Sequence, residues 1–84
     1  MIKCLVFIGG LILIAKIEEI ESELGDPDCQ ISDVCVVNSD GEVSPWLNCT
    51  DQTELLVRSE NILTIVEPKK DILKLYLETI TWEF

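Results

Sequence analysis

The sequence predicts a small all-β domain in which five short, strongly bent antiparallel strands form a barrel and one α-helix follows at the C-terminus. Apolar, β-branched runs separated by Gly, Pro and Asp turns extend through residue 66, a pattern typical of strands. After Pro68 the apolar residues recur at helical spacing instead. Because 84 residues provide for one core, we predict a single domain over residues 1–84. Its strands should lie within residues 2–66 and its helix over about 69–79.

The first two predicted strands flank a glycine turn. Residues 2–8 form the first strand, and Gly9-Gly10 supplies the positive φ values that a tight hairpin needs. Residues 11–20 form the second strand, which is apolar on both faces at first and charged from Lys16 onward. A strand that is apolar on both faces must be covered on both. This favours a barrel interior on one side and a helix or a neighbouring copy on the other.

Three more strands are predicted from runs that end at turn residues. They are residues 29–37, 53–58 and 61–66, whereas residues 42–50 look irregular around Pro45-Trp46. For Trp46 itself we expect partial burial against the barrel, with a stacking or docking role as the alternative.

The predicted helix has one apolar face, and Pro68 suits its first turn. That face consists of Ile72, Leu73, Tyr76, Leu77 and Ile80. We expect it to cover an open end of the barrel, with Trp82 and Phe84 extending that cover or contacting a neighbour.

Composition and charge restrict the classes of partner. The chain is 48% hydrophobic with a mean hydropathy of +0.30, which favours burial against copies of itself. Its net charge is −10, and no basic residue lies between Glu18 and Glu54. A field of that sign repels phosphate backbones and acidic membranes. We therefore expect a cytoplasmic protein (in the host cell if it is viral) that does not bind membranes.

Catalytic and metal-binding patterns are missing from the sequence. It has no histidine and no C-x-x-C pair, and it has neither a nucleophile motif nor a phosphate-binding glycine loop. We therefore predict no enzyme activity, no metal and no cofactor. We expect Cys4, Cys29 and Cys35 to be buried free thiols because each lies in or beside an apolar run.

The N-terminus leaves one alternative open. Residues 1–15 resemble a signal peptide, and the chain would then be a secreted, disulfide-linked peptide. Gly9-Gly10 interrupts the apolar run, and Leu13 stands where a cleavage site needs a small residue. We therefore favour a strand here, and mass spectrometry of the natural protein distinguishes the two.

Residues 56–65, Leu-Val-Arg-Ser-Glu-Asn-Ile-Leu-Thr-Ile, resemble the second motif of the Sm/Lsm family, with Ser59 where the family has Gly. The first motif is matched more weakly, by Gly9-Gly10, Ala15, Ile17, Ile20 and Glu21. The runs Gly-Asp-Pro-Asp-Cys and Ser-Pro-Trp-Leu are similar to those of divergent Sm-like proteins of marine phages (cyanophages). The resemblance implies an Sm-like (SH3-type) barrel, which strand count alone does not distinguish from an OB fold. Sm proteins usually carry the helix before the first strand.

The resemblance also implies a ring, in which the fourth strand of one copy pairs with the fifth of the next. We expect a cyclic homo-oligomer of about five to eight subunits. Residues 53–58 and 61–66 fit this role, because they are short and apolar and lack the proline or lysine that usually protects a free edge.

By the same resemblance, RNA would bind at the pore through Arg58 and Asn61, with Glu21 and Ser59 beside them. After Glu21 the chain lacks the aromatic stacker and the Asn of the family, so RNA binding should be weak. Two alternatives stay open. Arg58 forms an ion pair with Glu60 or Glu21, and Asn61 is a turn residue with an unusual φ.

Two acidic residues flank Pro27. Asp26 and Asp28 are either hard-cation ligands or, more simply, part of a solvated turn.

At the level of the whole chain, the sequence predicts a ring-forming, RNA-associated binding module or scaffold. The alternative is an acidic ring that binds a basic protein or mimics the charge of nucleic acid.

Overall fold

The computed structural model describes residues 1–20, 28–47 and 49–83, with side chains through residue 80. Within these ranges, six strands, one 3₁₀ turn and one helix follow each other. They are β1 Ile2–Phe7, β2 Ile12–Glu19, β3 Cys29–Val37, β4 Val43–Pro45, β5 Glu54–Val57, the 3₁₀ turn Ser59–Asn61, β6 Ile62–Val66 and α1 Lys70–Glu83.

All strand pairs are antiparallel, in the order β4-β3-β2-β1-β6, and β5 also pairs with β3. An antiparallel sheet with one C-terminal helix is therefore confirmed. The count of five strands is wrong, because Val43–Pro45 pairs with residues 35–37 of β3 although this stretch was predicted to be irregular. Within the described residues β5 and β6 do not pair with each other, so the sheet of a single chain is open rather than closed into a barrel.

The first hairpin has the predicted backbone. Gly9 and Gly10 have φ of 99° and 93°, values that favour glycine. β1 and β2 leave this turn in continuous register, from Val6 opposite Ile12 to Ile2 opposite Lys16. The part of the chain that resembles a signal peptide thus forms the two central strands of the sheet.

β3 bends at Asp33 and thereby pairs with two different strands. Its residues 29–32 pair with β5, and its residues 35–37 pair with β4. Between them Asp33 has φ of 50°, and its Nα–H donates to the carbonyl oxygen of Thr53 at 3.1 Å. The register of β2 shifts opposite this point, and Lys16 Nζ lies 3.0 Å from Asp33 Oδ2. Such a bulge increases the local twist of the strands.

The two faces of the sheet bury separate apolar clusters, as the two-sided apolar pattern of β2 predicts. The inner cluster contains Leu5, Leu13, Ala15, Ile31 and Val34. The outer cluster, between the sheet and α1, contains Cys4, Ile14, Cys35 and Tyr76. Leu13 and Ile14 are neighbours in sequence but belong to different clusters, because side chains alternate across a strand.

α1 packs on β3 and β4 through Ile72, Leu73, Tyr76 and Ile80. It begins and ends later than the predicted helix. Leu77, expected on the buried face, is 43% exposed, because it lies at the border of the apolar stripe. Among the described residues, no helix is long and apolar enough to cross a membrane. The side chains of Trp82 and Phe84 lie outside the described part.

Candidate functional site

Three of the four residues predicted to contact RNA lie in the short turn between β5 and β6. Arg58 precedes the 3₁₀ turn, and Ser59 and Asn61 belong to it. The Asn61 Nα–H donates to the carbonyl oxygen of Arg58 at 3.1 Å, and the Asn61 carbonyl oxygen accepts from the Ile8 Nα–H at 2.9 Å. One side of the turn is therefore attached to the end of β1.

Asp28 attaches the other side of this turn to the start of β3. Its Oδ1 accepts from the Ser59 Nα–H at 2.7 Å, and its Oδ2 accepts from the Ser59 hydroxyl at 2.6 Å. Its backbone N–H donates to the Val57 carbonyl oxygen at 3.2 Å, and its own carbonyl oxygen accepts from the Ile20 Nα–H at 3.0 Å. We call these four bonds the Asp28 clasp.

The clasp brings the two matched motifs together. Ile20 belongs to the first motif, and Val57 and Ser59 belong to the second. Glu21, the fourth predicted RNA contact, follows Ile20 directly but lies outside the described residues, as does Asp26.

Asp28 is more than part of a solvated turn, because Ser59 donates to both of its carboxylate oxygens. The described residues contain no group of three or more acidic, Cys and His residues able to hold a metal ion. Asp26, the other candidate cation ligand, lies outside them, so that alternative stays a prediction. The hydrogen bonds from the Ser59 hydroxyl and backbone lower the pKa of Asp28 below its usual range, so its carboxylate is ionised at neutral pH.

The cation of the turn is Arg58, and a carboxylate lies beside it. Arg58 Nη1 is 3.5 Å from Glu60 Oε1, with the two side chains 51% and 69% exposed. This is one of the ion pairs expected for Arg58. An exposed pair of this kind contributes about 0–1 kcal/mol to stability, and the negative charge of Glu60 offsets the attraction of Arg58 for a phosphate.

The remaining residues selected from the sequence are Asn61, Trp46 and the cysteines. Asn61 does not have an unusual φ. Among the described non-glycine residues, the positive φ belongs to Asp33 and not to Asn61. That part of the expectation is wrong, since a 3₁₀ turn uses ordinary right-handed dihedrals. Trp46 is half-buried against the inner cluster, as expected. Cys4 and Cys29 are buried free thiols, as expected, Cys35 is buried as expected, and Cys49 is an exposed free thiol.

Sequence reasoning did not find the Asp28 clasp. Asp28 and Ser59 are 31 positions apart, and no pattern of fixed spacing links the two. One signal was present, namely a hydroxyl residue, Ser59, in place of the family glycine. A new donor in a tight turn suggests that an acceptor lies nearby.

A model of a family of unknown function, DUF6561, matches residues 1–81. The chain belongs to this family. No curated protein matches it. What a DUF6561 protein does therefore has to be inferred from its geometry.

The most unusual surface of this DUF6561 chain is its pair of open sheet edges. β5 and β6 each pair with one strand on one side, and the 3₁₀ turn joins them. Their exposed apolar side chains are Leu56 at 58%, Leu63 at 66%, Ile65 at 46% and Val66 at 45%. We call these four residues the edge patch. β4 differs, because it ends in Pro45 and packs against α1.

Proposed function

We propose that this DUF6561 protein is an Sm-like scaffold that assembles into a ring of about five to eight copies, in which β5 of one copy pairs with β6 of the next. The observation that carries the proposal is the edge patch. Two strands, each paired on one side only and carrying exposed apolar side chains, lie on either side of a single short turn. The order strand, 3₁₀ turn, strand also fits the motif that residues 56–65 resemble.

The two edges differ, and this favours a ring over a two-fold dimer. β5 pairs with β3 toward one end of the sheet, and β6 pairs with β1 at the other end. When β5 of one copy pairs with β6 of the next, the contact is head-to-tail, so the two end copies of an open chain each keep one free edge until the chain closes. Closure also completes the hydrogen bonds of strands that would otherwise template aggregation.

Native mass spectrometry tests the ring directly. We expect one closed species of about five to eight subunits at micromolar concentration. Leu63→Lys should dissociate it, because a charge would have to be buried between copies. Leu75→Lys is the matched control: Leu75 is 39% exposed but lies on α1, away from both edges, and this variant should keep the mass of the parent. A monomeric parent protein, or equal losses in both variants, would contradict the proposal.

We also propose that the ring binds RNA weakly. Each turn carries Arg58 against Glu60 and the ionised Asp28, and symmetry repeats this balance in every subunit. Phosphate attraction supplies most non-specific affinity for nucleic acid, and here it is offset.

A fluorescence-anisotropy titration measures this weak binding. We expect no submicromolar binding of oligo-U or oligo-A at physiological salt, and tighter binding in the Glu21→Gln, Glu60→Gln double variant. Added salt should weaken any binding less steeply than it does for a basic pore. Submicromolar binding by the parent protein that disappears in Arg58→Ala would refute the prediction.

A second candidate is a ring that binds a basic protein. The observation that favours it is the acidic stretch from Glu18 to Glu54, which contains no Lys or Arg within a chain of net charge −10. Replacing the RNA with a fluorescent oligo-lysine peptide in the same titration distinguishes the candidates. Binding of the peptide that falls steeply with salt would support this second function.

A further inference from the structure

We infer that Asp28 is a positioning residue for assembly: its clasp fixes the corner between β5 and β6 and thereby the angle between neighbouring copies. This inference deepens the proposed ring and rests on it. Asp28 does not belong to either edge strand, and the 3₁₀ turn that it holds separates them.

The 3₁₀ turn lacks internal hydrogen bonds at its start. Its own bonds run from the Asn61 Nα–H to the Arg58 carbonyl and from the Ile62 Nα–H to the Ser59 carbonyl. Arg58, at the N-cap position, makes no side-chain cap. The Ser59 Nα–H is one of the donors that such a turn leaves without an internal partner, and Asp28 Oδ1 accepts it.

The 3₁₀ turn is attached to two parts of the sheet that are not neighbours. β5 is attached through β3, and β6 through β1, with β2 between them. Across the corner, Asp28 holds the β5 side and the Ile8–Asn61 bond holds the β6 side. Without the Asp28 carboxylate, β5 keeps its ladder to residues 29–32 and the backbone bond from Asp28 to Val57, but Ser59 loses both of its bonds to Asp28 at the start of the turn.

Ring closure restricts the rotation between neighbouring copies. In a head-to-tail ring this rotation must be the same at every contact, and the ring must close after a whole number of copies. The angle at the β5–β6 corner contributes directly to that rotation, because both contacts of a copy leave from this corner. A loosened corner therefore yields several ring sizes or open chains, even while each subunit stays folded.

The experiment compares Asp28→Ala with Asp28→Asn by native mass spectrometry and by amide hydrogen exchange. Asp28→Ala removes both acceptors, so we expect a broadened mass distribution, assembly at least about tenfold weaker, and faster exchange at Ser59. Asp28→Asn should keep one ring size, since its amide oxygen accepts from the Ser59 Nα–H and its amide N–H donates to the Ser59 hydroxyl. Both variants remove one negative charge, so a charge effect alone would change them equally.

Asp40→Ala is the matched control. Asp40 Oδ1 likewise accepts a backbone N–H, from Glu42 at 3.0 Å, but in the turn between β3 and β4. In Asp40→Ala the amide hydrogens of this turn should exchange faster, and the protein should keep the ring size of the parent. If Asp28→Ala proves too unstable to purify, Ser59→Ala removes the hydroxyl bond alone and should broaden the masses less.

The outcomes separate this inference from the ring itself. A monomeric parent protein removes both the ring and the role of Asp28 in it. A parent ring with an unchanged mass distribution and midpoint in Asp28→Ala overturns the positioning role alone. Equal broadening by Asp40→Ala would also overturn it, because any weakened turn would then have the same effect.

Discussion

Thr64→Pro and Ile65→Pro should each dissociate the ring, but only one of them should also unfold the subunit. Both residues lie in the regular part of β6, where Thr64 faces Val6 and Ile65 faces Leu5 across β1. Consecutive N–H groups in an antiparallel strand point to opposite neighbours. One of the two therefore donates to β1, and the other points to the open edge where the next copy would pair.

Proline removes the donor and adds bulk at the same place. At the residue bonded to β1, the loss breaks the ladder inside the subunit and leaves a carbonyl without its partner. At the residue that points outward, the subunit loses nothing internally, and only the contact between copies is blocked. An unsatisfied group costs about 1–3 kcal/mol, which weakens each contact about five- to over a hundredfold.

Native mass spectrometry and thermal unfolding followed by circular dichroism measure the two effects separately. We expect one proline variant to give folded monomers and the other to give unfolded or aggregated protein, while Thr64→Ala and Ile65→Val retain the ring. Two proline variants that both keep the parent mass would show that β6 does not lie between copies.

The sequence predicts the local features of this fold well. The Gly9-Gly10 hairpin follows from the φ values that only glycine adopts easily, and both glycines have them. The covered outer face follows from the alternating apolar residues of β2, and α1 does cover it. These features depend on residues close together in the chain, where the pattern and the structure have the same cause.

Features that depend on distant residues were not predictable in the same way. β4 contains Pro45 and is short, so its sequence indicates an irregular segment. It forms because β3 continues past its bend at Asp33 and offers residues 35–37 as a partner. Strand formation there is decided by the neighbouring strand rather than by propensity. The candidate site shows the same limit, since Arg58 and Asn61 could be placed in a turn, but its attachment through Asp28 could not.

Tyr76→Ala should destabilise the subunit by about 3–5 kcal/mol, the range measured for large aromatic truncations in protein cores. Tyr76 is fully buried and has the largest buried side chain described. It joins Cys4, Ile14 and Cys35 from three strands, so its removal leaves a cavity beneath α1.

Tyr76→Phe should not destabilise the subunit, because the aromatic side chain of Phe fills the same space and the lost hydroxyl contributes little to stability. The hydroxyl approaches the backbone of Lys16 but makes no hydrogen bond of good geometry within the described residues. A buried hydroxyl without a good partner is unfavourable, so we expect unfolding free energies equal to or slightly above those of the parent.

The pH dependence of the same variant provides a second readout. Burial, with smaller effects from Asp33 and Cys35, raises the pKa of Tyr76 above its usual value of 10.0. A raised pKa means that the folded state holds the proton more tightly than the unfolded state, so stability is intact below pH 10 and falls as the pH rises above it. Tyr76→Phe should remove this alkaline loss, leaving the smaller one due to Cys4 and Cys29, whose pKa values are also raised. Urea unfolding at pH 7 and pH 11 measures the difference. An alkaline loss as large in Tyr76→Phe as in the parent would show that the Tyr76 hydroxyl is not held in the buried environment that the fold gives it.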